Sequence, residues 1–268
     1  MLEINDLTVS FTDNWGGEAV NNANLRMDAG ERLGLVGESG SGKTMLALTV
    51  AGLFPRDRTV VTGEMIFNGT DLLKCRQKEL RSLQGKEICM IFQEPMTSLN
   101  PLMKVGKQIE EVLKLHTNLS SARRREKALE VMKHVELPDP ELTYEKYPHQ
   151  LSGGQRQRAM IASALIIDPQ LLIADEPTTA LDVTVQEQII KLLKRINDDH
   201  GVGILFISHD ISVIRRLCTR VAVMHAGSIV EQGPTEDVFQ NPRHEYTKRL
   251  IAAIPTREKR RGKYKCPE

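Results

Sequence analysis

Apolar side chains at Leu2, Ile4, Leu7, Val9 and Phe11 alternate with polar ones, the period of a strand with one wet face, and predict an N-terminal hairpin. Arg32-Leu33-Gly34-Leu35-Val36 reads as a buried strand, followed by a Gly/Ser loop and an apolar helical stretch from Thr44 to Leu53. Further short apolar runs predict strands at Met65 to Phe67, Ile88 to Phe92, Leu171 to Ala174, Gly203 to Ile207 and Val221 to Met224. Alternating with helical segments, they describe an α/β protein. Between Phe92 and Leu171 the period changes. Val105, Ile109, Val112, Leu113 and His116 fall on one helical face, and Ala128, Leu129, Met132 and Val135 continue helically after the basic Arg123-Arg124-Arg125, itself read as a wet helix face. An α-helical insertion is therefore expected over Asn100 to Ser163. A later helix, Thr184 to Asn197, carries Val185, Ile189, Leu192, Leu193 and Ile196 on the face that should meet the sheet.

At 268 residues the chain can bury one large core carrying a smaller inserted subdomain, whereas two independent domains would be cramped. Aromatics make up only 4%, so aliphatic side chains must fill that core. The net charge of +1 lacks the basic bias of a protein whose main partner is a nucleic-acid backbone. Cys75, Cys89, Cys218 and Cys266 form no C-x-x-C pair, which argues against a structural zinc or a disulfide framework and fits a reducing cytosol. The N-terminus lacks a basic segment followed by an apolar run, so a signal peptide is not expected. Nor does any stretch approach the roughly 18 consecutive apolar residues of a membrane span. Any membrane process would be served through partners.

The chemistry begins at Gly37-Glu38-Ser39-Gly40-Ser41-Gly42-Lys43-Thr44, which fits G-x-x-x-x-G-K-[ST] between a strand and a helix. Glycines let backbone N–H groups turn toward phosphate oxygens, and the helix N-terminus adds its dipole. Lys43 is expected to reach the β- and γ-phosphates, and Thr44 to ligate Mg²⁺. Leu171-Leu172-Ile173-Ala174-Asp175-Glu176 is an apolar strand ending in two carboxylates. Alone such a pair would read as a solvated turn; beside a phosphate loop, Asp175 is expected to hold the metal and Glu176 to polarise the attacking water. Leu151-Ser152-Gly153-Gly154-Gln155 supplies a second anion-binding helix start, opening a helix expected over Arg156 to Ile167.

With that last motif the chain resembles the ATP-binding cassette family, and the resemblance covers nearly its whole length. It implies a P-loop NTPase (RecA-like) core, residues 1–99 and 164–240, with an N-terminal antiparallel β-subdomain, an inserted helical subdomain at 100–163 and a C-terminal extension at 241–268. It implies ATP hydrolysis with Mg²⁺, and a head-to-tail pair in which Ser152, Gly153, Gly154 and Gln155 contact the γ-phosphate of ATP on the other subunit. Gln93 resembles the Q-loop glutamine that senses metal and water, Thr179-Ala180-Leu181-Asp182 the D-loop with threonine where serine is commoner, and His209 the switch histidine that holds the γ-phosphate. For the adenine-stacking ring Phe11 is favoured over Trp15; the plain alternatives are a core role for Phe11 and a hairpin role for Trp15.

Ile91 to Pro101, Tyr147-Pro148-His149-Gln150, and Asn241-Pro242-Arg243-His244-Glu245-Tyr246-Thr247, with Glu245 in place of a proline, resemble the oligopeptide, dipeptide and nickel importer branch. That branch implies two membrane permease subunits, an extracytoplasmic solute-binding protein, no nucleic acid, and a second ATPase subunit, paralogous or identical, at the cytoplasmic face of the membrane. Peptides, nickel or cobalt, and metal complexes all stay open as cargo. A lone Cys266 cannot supply the four thiolates of an iron–sulfur cluster, so none is expected. The basic residues from Arg257 to Lys265 read as a solvated tail, with anionic lipid as the alternative. Three rivals fit less well. A chromosome-maintenance ATPase would insert long heptads between the phosphate loop and Leu151, a translation-associated relative would carry two cassettes, and a small-molecule kinase would leave Ser152 to Gln155 idle.

Overall fold

The computed structural model describes residues 1–12, 17–93, 98–179 and 181–253. Trp15, residues 94–97, Ala180, and the tail from residue 254 with Cys266 lie outside the described residues.

Strands β1 (Leu2–Phe11) and β2 (Glu18–Met27) pair antiparallel as the predicted hairpin. The step from Ile4 to Leu7 breaks strict alternation, and there β1 carries a bulge with Asp6 at φ 50°. Leu2, Ile4, Leu7 and Val9 thus all face inward. Next come β3 (Arg32–Val36), α1 (Lys43–Val50), β4 (Thr59–Phe67), β5 (Thr70–Asp71), α2 (Gln77–Leu83) and β6 (Ile88–Ile91). β4 extends beyond the predicted Met65 to Phe67, because Thr59 to Thr62 pair with Thr8 to Phe11 of β1. β6 stops at Ile91, which leaves Phe92 beyond the strand and exposed.

Helices α3 (Val105–His116), α4 (Ser121–His134), α5 (Pro140–Glu145) and α6 (Gly153–Leu165) follow. α3 buries Val105, Ile109 and Leu113, and α4 buries Ala128 and Met132, as their spacing predicts. Gly106 lets α5 close on α3, since a Cβ there would lie 2.0 Å from the fully buried Tyr144 ring. The Tyr144 hydroxyl donates to the buried Glu110 carboxylate. α6 starts earlier than the expected Arg156, because Ser152 and Gln155 cap it reciprocally, and it ends at Leu165.

The chain continues through β7 (Leu171–Asp175), α7 (Val183–His200), β8 (Gly203–Ile207), α8 (Ile211–Leu217), β9 (Arg220–His225), β10 (Ser228–Pro234), α9 (Thr235–Gln240) and α10 (Glu245–Ala252). One sheet has the order β2-β1-β4-β5. The other runs β10-β9-β3-β8-β7-β6, parallel except for β10. The parallel strands carry no polar side chain except at their ends, because both faces are covered. Leu33, Leu35, Ile173 and Leu205 pack with α1 and the antiparallel sheet, whereas Val36, Leu172, Ala174 and Phe206 join the core of α6, α7 and α8. Among the described residues no helix is long and apolar enough to cross a membrane.

Candidate active site

Along one edge of the parallel sheet four strands end beside chemistry-bearing residues. β3 runs into Gly37–Thr44, β7 ends in Asp175 ahead of Glu176, β8 precedes His209 and β6 precedes Gln93. Side-by-side parallel strands bring together residues far apart in the chain at their carboxyl ends.

The phosphate loop closes around its own lysine. Lys43 Nζ donates to Gly37 O at 2.9 Å, Glu38 O at 2.8 Å and Ser41 Oγ at 3.3 Å. The residue is only 6% exposed. Burial pushes its ammonium pKa down, while the Glu176, Asp175 and Glu38 carboxylates pull the other way. Gly42 has φ 101°, and a Cβ there would lie 2.1 Å from Ala19 O, so the loop can rest on β2 only with glycine. Ser39 and Gly40 form the exposed rim, and Thr44 opens α1 with its side chain exposed.

Asp175 is 2% exposed, and its Oδ1 has no hydrogen-bond partner. Burial pushes its carboxyl above the ordinary range; the Thr44 side chain opposes the rise, Glu176 adds to it and Lys43 counters it. A buried carboxylate oxygen without a donor, with the Thr44 hydroxyl bonded to the same carboxylate, is the donor set of a hard cation. These residues therefore fit Mg²⁺.

Glu176 collects the other predicted residues. Its Oε2 accepts from Gln93 Nε2 at 3.1 Å and from Thr179 Oγ1 at 2.8 Å, while its Oε1 lies 3.1 Å from His209 Nδ1. The residue holds φ 46°, and its own N–H donates to Ile207 O of β8 at 3.0 Å. The sequence marks Thr179 only as the first residue of the segment resembling the D-loop; the structure adds its bond to Glu176. The nearness of 176 and 179 in sequence was the signal available.

Other predicted residues stand apart. Ser152 and Gln155 hydrogen-bond each other, and among the described residues no hydrogen bond or ion pair joins Ser152, Gly153, Gly154 or Gln155 to the phosphate loop, Asp175 or Glu176. Asp182 accepts from Val185 N at 3.0 Å and caps α7. Phe11, half-buried, ends β1 where the hairpin's β2 strand meets Gly42.

A cavity of about 270 Å³ opens between the end of β6 and helices α3 and α6, lined among others by Phe92, Leu99, Glu111, Val112 and Met160. Leu99, on the cavity wall, is itself buried. Cys89 also borders the cavity, but burial pushes its thiol up to about 12 and leaves it inert.

Residues 20–179 match the ABC transporter family, and residues 230–267 match the oligopeptide/dipeptide transporter C-terminal region. The chain is 48% identical over 261 residues to the oligopeptide transport ATP-binding protein OppD of Bacillus subtilis, covering 96% of this chain and 73% of that protein. It is 46% identical over 258 residues to the dipeptide transport ATP-binding protein DppD of Lactococcus lactis subsp. cremoris, covering 96% and 74%. The ATP-binding cassette MJ0796, solved as a dimer in a post-hydrolysis state with ADP and Pi, superposes with a TM-score of 0.79 at 30% identity, covering 88% of this chain and 99% of its own. Phosphate loop, paired carboxylates and Leu151 to Gln155 thus sit on a cassette fold in a chain with this C-terminal region, and the chain belongs to the ABC transporter family as an ATP-hydrolysing subunit.

Proposed function

We propose that the chain drives peptide import, hydrolysing ATP at the edge formed by β3, β6, β7 and β8 and passing the resulting motion to separate membrane subunits. The observation that carries the reading is the Glu176 carboxylate, held by Gln93, Thr179 and His209 beside the phosphate loop. Lys43 leaves its loop carbonyls to neutralise the β- and γ-phosphates. Glu176 orients the attacking water and takes its proton, while His209 and Gln93, already at that carboxylate, hold the γ-phosphate and report its presence. Asp175 and Thr44, with Gln93, would hold Mg²⁺, which when bound offsets phosphate charge. Phe11 stacks the adenine.

Ser152 and Gln155 cap α6, and among the described residues none of Ser152 to Gln155 bonds to this chain's own phosphate loop, which supports their use on ATP held by a second subunit. Asp182 lies at the same junction. MJ0796 is a dimer, and a paralogous or identical partner completes the pair here. The division that accompanies this reading is a core of residues 1–99 and 164–240, a helical subdomain at 100–163 and an extension at 241–268. The cavity between β6, α3 and α6 receives a cytoplasmic helix of a permease subunit, which places the chain at the cytoplasmic face of the membrane. Peptide, rather than nickel or cobalt, is the cargo class supported, since the relatives above are named for oligopeptide and dipeptide transport.

The test is reconstitution of the chain with its permease subunits, partner ATPase and binding protein in vesicles. Peptide-loaded binding protein should stimulate ATP hydrolysis and peptide uptake together. Stimulation by nickel-loaded binding protein but by no peptide would reject the cargo class.

A further inference from the structure

Tyr246, the second residue of α10, is 3% exposed, and its hydroxyl accepts a hydrogen bond from Glu38 N–H at 2.9 Å. That N–H belongs to the peptide unit joining Gly37 to Glu38. The carbonyl of the same unit, Gly37 O, accepts from Lys43 Nζ at 2.9 Å. In a trans peptide the N–H and C=O point in opposite directions within one rigid plane. Tyr246 and Lys43 therefore hold the two sides of a single plate.

The hydroxyl is itself firmly placed. The Tyr246 ring stacks on His225, the last residue of β9, at a centroid separation of 3.9 Å and 24° between planes. One residue earlier, Met224 O lies 2.2 Å from where a Cβ on Gly37 would stand, so the end of β9 backs directly onto the loop. The start of α10 is tied to β10, since Arg243 N and His244 N donate to the Glu231 carboxylate at 2.9 and 3.0 Å. Burial pushes that carboxyl up, but its donors outweigh burial and hold it below the usual carboxylate range. His244 Nδ1 in turn accepts from Tyr246 N at 3.2 Å.

We propose that Tyr246 is a positioning residue for the nucleotide reaction: by holding Glu38 N–H it orients the Gly37 carbonyl that stations Lys43, and so pre-forms the phosphate loop before a nucleoside triphosphate arrives. The C-terminal region thereby sets nucleotide affinity. A loop freed of this hold must be ordered by the nucleotide itself, and the cost falls on binding. Once phosphates fill the loop they hold it in place, so turnover is affected little. The inference rests on the assignment of Lys43 to the phosphates.

Tyr246→Phe in the full chain keeps the ring, its stacking and its volume and removes only the hydroxyl. Affinity for Mg-ATP and for Mg-ADP should each fall about three- to tenfold, the size of one net hydrogen bond, with kcat within about twofold. Gly106→Ala, which overpacks Tyr144 between α3 and α5, serves as a control destabilised by a different route. Both variants are titrated well below their melting temperatures. Unchanged affinity in Tyr246→Phe overturns the proposal, as does an equal loss in Gly106→Ala. If Lys43→Ala binds nucleotide normally, the Lys43 assignment fails instead; if Lys43→Ala binds weakly while Tyr246→Phe binds normally, the Tyr246 hold alone is removed.

Discussion

His209 Nδ1 lies 3.1 Å from Glu176 Oε1, while the other oxygen of the same carboxylate takes Gln93 and Thr179. The carboxylate is thus held from both sides by groups that follow β6 and β8 and by the turn after β7. His209 is mostly exposed at 61% of its side chain, whereas Glu176 is sheltered at 15%. The histidine is free to turn toward a ligand while the glutamate stays in position.

Glu176→Gln keeps the shape of the side chain but replaces one accepting oxygen with a donor. Mg-ATP binding should stay within a few-fold of wild type, while hydrolysis falls by at least about 100-fold, the usual worth of a positioned general base. Parallel binding titrations and phosphate-release assays check this. Normal turnover would move the base to another residue.

Lys43→Ala removes the cation that bonds Gly37 O, Glu38 O and Ser41 Oγ. Hydrolysis should drop by about two orders of magnitude or more, and nucleotide affinity should fall with it, because both ground-state and developing charge lose their neutralising partner. Steady-state kinetics at saturating ATP separate the two losses. Near-wild-type kcat/KM is the contrary result.

Exposed or half-buried residues that line the cavity between β6, α3 and α6 are the probes of coupling to the membrane subunits. Glu111→Ala and Val112→Ala should leave basal hydrolysis by the isolated chain within about twofold, since both belong to the cavity wall on α3. In the assembled transporter, peptide-stimulated hydrolysis and uptake should both fall several-fold. Loss of equal size in both settings would return the cavity to a folding role.

Glu136 follows α4 and bridges two helices, accepting from Arg158 Nη1 of α6 at 3.1 Å and from Arg195 Nη1 of α7 at 2.8 Å. The Arg195 contact lowers its pKa, burial raises it and Arg158 lowers it again, leaving it below the ordinary 4.5. A depressed carboxylate contributes stability that is present above 4.5 and is lost as pH falls through the folded value. Glu136→Gln should therefore cost at most about 1 kcal/mol at neutral pH, because the carboxylate is half-exposed and screened. The gap from wild type should close in strongly acid solution. Denaturant melts at several pH values measure it, and a gap independent of pH would show that the charge contributes nothing.

Continuous apolar runs made the parallel sheet readable in advance: Arg32–Val36 and Gly203–Ile207 form strands with the predicted bounds. β10 escaped notice because Ser228–Pro234 has neither a sustained alternation nor an apolar run; it forms only because β9 offers it an edge. The residues gathered around Glu176 were each recognisable from a local motif, but their meeting depends on the order of parallel strands. Tyr246 carried only a mark of family branch in the sequence. Its partner Glu38 is 208 positions away, and nothing local could have joined them.

Glu176 stands at φ 46°, a backbone region that costs a side-chain-bearing residue on the order of 1 kcal/mol and that glycine enters freely. Heat resistance and turnover therefore pull in opposite directions at this one position. A selection for thermal survival alone would not protect the carboxylate there, because relieving the strain with glycine also removes the group that orients the water. Any programme to harden this ATPase must carry uptake or hydrolysis as a second criterion.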